Sequence, residues 1–325
     1  MKNVFVTGAN GLLGTNLVLL LLKRDFRVKA FVRKKERFIP FQHKNLTIIE
    51  GELTDKHLLM QEIKSCQYVV HIAAITHQGL LTLNDYRKVN VRGTSTMIDA
   101  CMAQKTEKLV YIGTANTYGY GSLSKPGNEE LEMKIPFTKS LYAMSKLEAR
   151  KLIDRASKSI NITTISPTFM LGAYDTKPSS GELILKVLNK RIIFYPSGGK
   201  NFVHVKDVAK AVIKAFEIET SGEHFIVGNE NMSYKSFFSK VARLNNQRSI
   251  LIRIPDFLLL AAGEAGEIFR RFGVKTRLSR TNAKILTIKN YYTNSKAALQ
   301  LHLSFTPTDE AIRDAIAWFK KQKQG

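Results

Sequence analysis

Residues 7 to 14 read Thr-Gly-Ala-Asn-Gly-Leu-Leu-Gly. The short apolar run Asn3–Thr7 ahead of them reads as a buried strand, and Leu12 to Arg24 behind them reads as a helix, so the order predicts strand, glycine turn, helix. In such a turn Gly8 permits the tight bend, Gly11 lets a pyrophosphate approach the backbone, and Gly14 lets helix and strand pack closely. The first helical turn then directs its N–H groups at the phosphates. Asn10, Leu12 and Leu13 therefore join the three glycines as candidate cofactor contacts. A glycine triplet alone carries little weight; its position between a strand and a helix is what gives it meaning.

The same alternation continues outward. Arg27–Val32, Leu46–Glu50, Tyr68–Ile72, Lys108–Ile112 and Ile162–Ser166 have strand character, and Tyr86–Gln104 and Leu141–Ser157 are long enough for three or more helical turns. Strands alternating with helices predict an α/β Rossmann fold, a doubly wound parallel sheet covered on both faces. After Pro167 the pattern loosens: Gly172–Gly181 marks a loop, Glu182–Asn189 and Val205–Glu217 read as helices, and His224–Val227 reads as a strand returning to the sheet. The expected division is an NAD(P)-binding part, residues 1–168 with 202–228. A smaller, mostly helical substrate-binding cap, residues 169–201 and 229–325, would close over the sheet's C-terminal edge.

Composition narrows the function classes. Cys66 and Cys101 form no CxxC pair, so neither a disulfide framework nor a zinc site is expected, no metal site is assigned, and a reducing cytoplasm fits. No signal peptide is evident. The apolar runs Leu17–Leu22 and Phe257–Ala262 fall well short of the roughly 18 residues a membrane span needs. A formal charge of +23 can attract anions, whether nucleotide phosphates, nucleic acid or a lipid surface, or can be a solvated basic surface. The cations are spread along the chain without a nucleic-acid-binding motif, so the second reading is preferred. It extends to Lys320, Lys321 and Lys323 at the end of the last predicted helix, Thr308–Lys320.

Two further stretches bear on chemistry. The second strand ends in Phe31-Val32-Arg33-Lys34-Lys35, with no acid before Glu36. An acid there would hold a ribose 2′-OH, whereas an arginine suits a 2′-phosphate, so Arg33 and Lys34 point to NADP(H), with NAD(H) still open. Tyr142 and Lys146 stand four residues apart on a predicted helix and share a face. An ammonium beside a phenol lowers its pKa toward the range useful for acid–base work. Tyr292 and Lys296 repeat the spacing, but they lie in the C-terminal part and read as structural.

With these residues in view, the chain resembles the extended short-chain dehydrogenase/reductase family. The matching stretches are TGANGLLG (7–14), VVHIAA (69–74), VNVRGT (89–94), YIGTANTYG (111–119), YAMSK (142–146), SPTFMLG (166–172) and FVHVKDVA (202–209). They occur in family order over about two-thirds of the chain. The resemblance implies Tyr142 as general acid/base, Lys146 as its activator, Thr114 as the hydroxyl holding the reacting oxygen, and Asn90 as a positioning residue. It also implies a cofactor channel lined by Ala73, Ala74 and Thr76, with Glu52 and Leu53 near adenine and Pro167 and Thr168 at the nicotinamide end. His71 and His204 read as packing and loop-ordering residues.

Ala115-Asn116 follow Thr114 where dehydratases of the family carry Asp-Glu, which disfavours sugar dehydration. Pro167-Thr168-Phe169-Met170 and Lys200 stand where many sugar-nucleotide epimerases have an asparagine and an arginine. SPTFMLGAYDTKPSSG, Arg33 and the AWF ending (317–319) resemble the dihydroflavonol reductase-like branch. That implies NADPH-dependent reduction of a small-molecule ketone or aldehyde, with His77, Phe169 and Tyr174 as candidate substrate walls. The alternatives are an NAD-dependent nucleotide-sugar epimerase and a non-catalytic nucleotide-sensing module. Ile254–Phe272, an apolar stretch with Arg270-Arg271 near its end, leaves a membrane-associated protein as a further reading, beside the preferred one of a cap helix over the substrate site. Many relatives dimerise through helices at positions like 84–104 and 141–158, so a homodimer is expected by resemblance.

Overall fold

The computed structural model describes residues 2–39 and 41–322; Lys323 lies outside the described residues. Strands β1 (Asn3–Thr7), β2 (Arg27–Val32), β3 (Leu46–Glu50), β4 (Tyr68–His71), β5 (Lys108–Ile112) and β6 (Ile162–Pro167) are interleaved with helices. These are α1 (Leu12–Lys23), α2 (Lys56–Ile63), α3 (Leu83–Asn90), α4 (Arg92–Ala103) and α5 (Leu141–Ala156). There follow β7 (Phe169–Leu171), α6 (Glu182–Leu185), β8 (Ile192–Tyr195), β9 (Gly199–His204), α7 (Val205–Lys214), β10 (Glu223–Val227), β11 (Glu230–Ser233) and α8 (Tyr234–Leu244). The chain then passes through β12 (Ile250–Arg253), α9 (Asp256–Arg271), α10 (Arg280–Thr287), β13 (Lys289–Asn290), α11 (Ser295–Gln300) and α12 (Thr308–Gln322).

The central sheet has the order β10-β6-β5-β4-β1-β2-β3, every neighbouring pair parallel. Covering both faces makes its strands nearly continuously apolar, yet the two-residue alternation still sorts their side chains. Val4 and Val6 enter a core with Leu17 and Leu21 of α1 and Val208 and Val212 of α7. Phe5 enters the opposite core with Leu59 of α2, Met97 of α4 and Ala149 of α5. Strand order reverses between β1 and β4, and ligands of such sheets bind in the crevice outside the strand C-termini at that point. Thr7, His71, Ile112 and Pro167 end their strands on this edge.

Two expectations need correction. The helical stretch expected over Tyr86–Gln104 is divided into α3 and α4 at Val91, next to Asn90, whose side chain is engaged elsewhere. The segments 169–201 and 229–325, expected to be mostly helical, carry helices α8 to α12 but also contribute to small sheets: β9 pairs antiparallel with β11 and parallel with β7 and β13, and β8 pairs with β12. Most of these strands are four residues or shorter, too short for alternation to stand out from neighbouring helical patterns. Ile193, Phe202, Phe237, Ile312 and Phe319 belong to a separate core there. Among the described residues, no helix is long and apolar enough to cross a membrane, and no cluster of His, Cys, Asp and Glu could hold a metal ion.

Candidate active site

The turn after β1 is shaped by close backbone contacts. Gly8 has φ +65°, and a Cβ there would lie 2.9 Å from the Ala73 nitrogen, beyond the end of β4. A Cβ on Gly14 would lie 2.2 Å from the Gly8 oxygen. The Gly11 N–H donates to that same oxygen at 3.0 Å and closes the turn, while Gly11 itself is exposed. No side chain caps α1 at Gly11, so the leading N–H groups of α1 have no helical acceptor and carry the positive end of the helix dipole. An exposed Gly11, free donors and a turn that admits no Cβ at Gly8 or Gly14 fit a dinucleotide pyrophosphate. Asn10 is half-buried beside the turn.

Behind the turn runs a buried hydrogen-bond relay. The Thr7 hydroxyl accepts from the N–H groups of Ile72 and Ala73, each at 3.1 Å, and meets His71 Nδ1 at 2.9 Å. His71 Nε2 lies 3.2 Å from the Thr94 hydroxyl, which donates to the Asn90 carbonyl at 2.7 Å. The directions agree if His71 is neutral with its proton on Nε2. Burial, and secondarily Lys146, hold its pKa down to about 3. Asn90 accepts from the Ile75 N–H (2.7 Å) and donates to the Ser145 hydroxyl (2.9 Å), tying the loop after β4 to α5.

Thr114, at the end of β5, and Tyr142 and Lys146, on α5, converge at this edge. Thr114 begins a short 3-10 turn, accepting from the Asn116 N–H at 3.4 Å, and also faces the Tyr142 phenol. Burial pushes that phenol up to about 12, with Thr114 acting in the opposite direction. Lys146 is buried, is pushed down to about 7 by burial, and donates through Nζ to the Ile112 carbonyl at 2.7 Å. The expected lowering of the phenol by its lysine is therefore not found. Exclusion of water favours the neutral form of both groups.

Two cavities adjoin these residues. One of about 340 Å³ is bounded by Tyr142, Tyr86, Leu80, Arg270 and Asn282 among others. Another, of about 50 Å³, is bounded by Thr114, Thr168, Phe169, Lys200, Asn201 and Tyr292 among others. Phe169 is thus brought beside Thr114. His77 and Tyr174 line neither cavity: His77 is exposed, with Gln78 taking the wall position, and Tyr174 (φ +72°) packs on Trp318 at 4.8 Å between ring centroids. Tyr292 and Lys296 do not share a helix, and Lys296 pairs with Glu223 at 2.8 Å.

Pro167 ends β6, and the Thr168 hydroxyl donates to Asn201 Oδ1 at 2.8 Å. Ala73 and Ala74 are half-buried and Thr76 is exposed. Leu53 is buried against Gly93, and its neighbour Glu52 is exposed. Arg33 and Lys34 are exposed just past β2. Lys177, in the loop after β7, has its pKa lowered by partial burial and then by the charges of Arg37 and Arg33.

Sequence reading missed several of these residues. Ser145 lies inside the YAMSK stretch, three residues after Tyr142, and could have been found there. Asn201 immediately precedes FVHV, and it bonds Thr168, Asn229, Asn231 and Tyr292. Arg270 lies in the stretch Ile254–Phe272 read as a cap helix over the substrate site but was not singled out as a wall residue, and Asn282 carries no motif.

The model of the NAD dependent epimerase/dehydratase family matches residues 4–228. The chain is 27% identical, over 97% of its length and 94% of the relative's, to a putative dihydroflavonol 4-reductase of Synechocystis. The crystal structure of gox2253 superposes with a TM-score of 0.84 at 26% identity, covering 99% of each chain. A UDP-N-acetylglucosamine 4-epimerase from Methanobrevibacter ruminantium shares the fold, with a TM-score of 0.78 at 20% identity over 99% of each chain. The chain thus belongs to the NAD dependent epimerase/dehydratase family and is an NAD(P)-dependent enzyme of the short-chain dehydrogenase/reductase type.

Proposed function

We propose that the protein uses NADP(H) to reduce a small-molecule ketone or aldehyde to an alcohol. The observation that carries this reading is the convergence of Thr114, Tyr142 and Lys146 at the sheet edge that also carries the Gly8–Gly14 turn. The turn and the first N–H groups of α1 would hold the pyrophosphate, Arg33 and Lys34 the 2′-phosphate, and Glu52 and Leu53 the adenine. Ala73, Ala74 and Thr76 would line the channel, with Pro167 and Thr168 at the nicotinamide end. In the same reading residues 1–168 and 202–228 serve the cofactor, residues 169–201 and 229–325 serve the substrate, and two copies associate through α3, α4 and α5.

When bound, the reduced nicotinamide supplies a hydride to the carbonyl carbon. Thr114 donates a hydrogen bond to the carbonyl oxygen and fixes its position. Tyr142, kept protonated by burial, gives its phenolic proton to that oxygen as the alcohol forms. A neutral phenol is the form that reduction requires at neutral pH. Lys146 spends one N–H on Ile112, and its remaining N–H bonds can stabilise the phenolate left behind. Asn90, through Ser145, keeps α5 in register with the loop after β4. The relative named as a dihydroflavonol 4-reductase supports a reductase over an epimerase.

The test is a fluorescence titration of the purified chain with NADPH and NADH. NADPH is expected to bind at least about tenfold more tightly, or ~1.4 kcal/mol. Equal or tighter NADH binding would favour the nucleotide-sugar epimerase reading, and binding of neither would remove the cofactor assignment. Sedimentation equilibrium at micromolar concentration checks the dimer.

A further inference from the structure

Helix α9 packs through its smallest residues and displays its largest. Gly263 and Gly266 are its buried positions. A Cβ on the first would lie 2.7 Å from the Ala283 Cβ, and one on the second 2.4 Å from the Leu278 oxygen, so α9 meets α10 and the segment before it too closely for side chains. At about 100° per residue, Phe257, Ala261, Ala265, Ile268 and Phe272 form one stripe, with Leu258, Ala262 and Phe269 alongside. All eight are exposed. Phe257 is 68% exposed, Phe269 58% and Phe272 81%. This is the reverse of a surface helix, whose apolar stripe faces the core.

The ribbon just upstream repeats the pattern. In β8 and β12, joined to α9 through Ile254 and Pro255, Ile193 is buried, whereas the register partners Ile192 with Ile250 and Phe194 with Ile252 are exposed. Apolar displays of this extent mark interaction surfaces. Their surroundings are basic. Arg253, Arg277 and Arg280 pair with Asp256, Glu182 and Glu264. Lys190, Arg191, Arg248, Arg271 and Lys275 are exposed and have no salt-bridge partner among the described residues. The chain as a whole carries +23.

We propose that α9 and the β8–β12 ribbon dock this protein on an anionic lipid bilayer. The phenylalanine, leucine and isoleucine side chains would enter the boundary between headgroups and acyl chains while the cations meet headgroup phosphates. Such docking needs no membrane-spanning helix. Glu267, Arg270 and Arg271 of α9 also wall the cavity on which Tyr142 opens, so docking would set that cavity beside the bilayer.

The experiment is co-sedimentation of the full chain with vesicles of phosphatidylcholine alone and of phosphatidylcholine containing phosphatidylglycerol. Binding to the anionic vesicles is expected. The combined variant Phe257→Ser, Phe269→Ser, Phe272→Ser should bind them at least about tenfold more weakly, with its thermal midpoint and net charge unchanged. Arg271→Gln with Lys275→Gln should weaken binding to the anionic vesicles by several-fold. Should the triple variant fail to fold, Phe272→Trp gives an independent reading: its added indole fluorescence, relative to the parent chain, is expected to be quenched by brominated acyl chains. The proposal is overturned by absence of binding, by triple-variant binding equal to that of the parent (net charge alone then suffices), by added fluorescence in Phe272→Trp that brominated lipid leaves unchanged, or by a dimer that the triple variant dissociates, which would assign the face to a second copy.

Discussion

The two ends of the cleft are held by different kinds of contact. At the nucleotide end the backbone sets the geometry: Gly8 against Ala73, Gly14 against Gly8, and a relay from Ala73 through Thr7, His71 and Thr94 to Asn90. No member of that relay can move without leaving a buried polar group unpaired. At the substrate end, long side chains bridge segments distant in sequence. Arg270 donates to the Leu80 and Thr276 carbonyls, and Asn282 to those of Gln78 and Arg277. The arrangement teaches where change is tolerated. The nucleotide end depends on the absence of atoms, so nearly any addition harms it. The substrate end depends on a few bridging side chains around a cavity, so many of its wall residues can change at little cost to the fold.

The sharpest test of that contrast is Tyr142→Phe, which deletes one oxygen and leaves both ends packed. Turnover is expected to fall by about 10²–10⁴, or roughly 3–5 kcal/mol in barrier height, with the melting temperature hardly moved. Steady-state rates and a thermal melt read it. Function surviving the change would revive the nucleotide-sensing module. Next comes acid stability. The folded pKa of His71, about 3, lies below its unfolded value, so the unfolded chain binds the extra proton between about pH 3 and 6.5. Its contribution is therefore complete above that window and is lost as pH falls through it, by roughly 5 kcal/mol at most. Urea unfolding at pH 7 and pH 4 should show the loss. His71→Gln, destabilised at neutral pH by the broken relay, should show a smaller pH dependence; an unchanged one would mean that other groups govern it.

A gentler break is Gly14→Ala against Leu81→Ala. The first forces a Cβ toward the Gly8 oxygen and should cost about 2–3 kcal/mol, together with nucleotide affinity. Leu81 borders the larger cavity and is only partly buried, so its truncation should cost less than about 1 kcal/mol. Equal losses in chemical denaturation would erase the distinction between the ends.

The same contrast explains what could be read from the sequence. Gly8, Gly11 and Gly14 were legible because their demand is local, a turn between one strand and one helix. Thr114, Tyr142 and Lys146 were legible because short stretches occur in order. The electrostatics of the pair were not. Lys146 spends a hydrogen bond on a backbone oxygen 34 residues earlier, and burial, which has no local signature, pushes the phenol up and the lysine down. Of the three expected substrate walls, Phe169 borders a cavity beside Thr114, whereas His77 and Tyr174 do not, for a related reason. A loop path decides whether His77 or Gln78 faces the cavity, and Tyr174 is drawn to Trp318, far along the chain. The apolar stretch of α9 was visible, but the side on which it packs depends on what α10 offers opposite Gly263 and Gly266.

The smallest expected effect links the two ends. Arg33 comes from the end of β2, as the glycine turn would suggest, whereas Lys177 comes from the loop after β7, outside the central sheet. Partial burial, and after it the charges of Arg37 and Arg33, lower the Lys177 pKa, and cations that disfavour one another's charge favour an anion among them. If that anion is the 2′-phosphate, Arg33→Ala should weaken NADPH binding about tenfold, because a guanidinium fork is lost. Lys177→Ala should weaken it by only about two- to threefold, because an exposed ammonium is screened by solvent and salt. Neither should affect NADH, which lacks the phosphate. Equal weakening of both cofactors would make these residues general surface charge. A selective loss in Lys177→Ala would instead mean that the loop leading to the substrate side also reports which nucleotide is bound, so that the two ends, though built differently, are not independent.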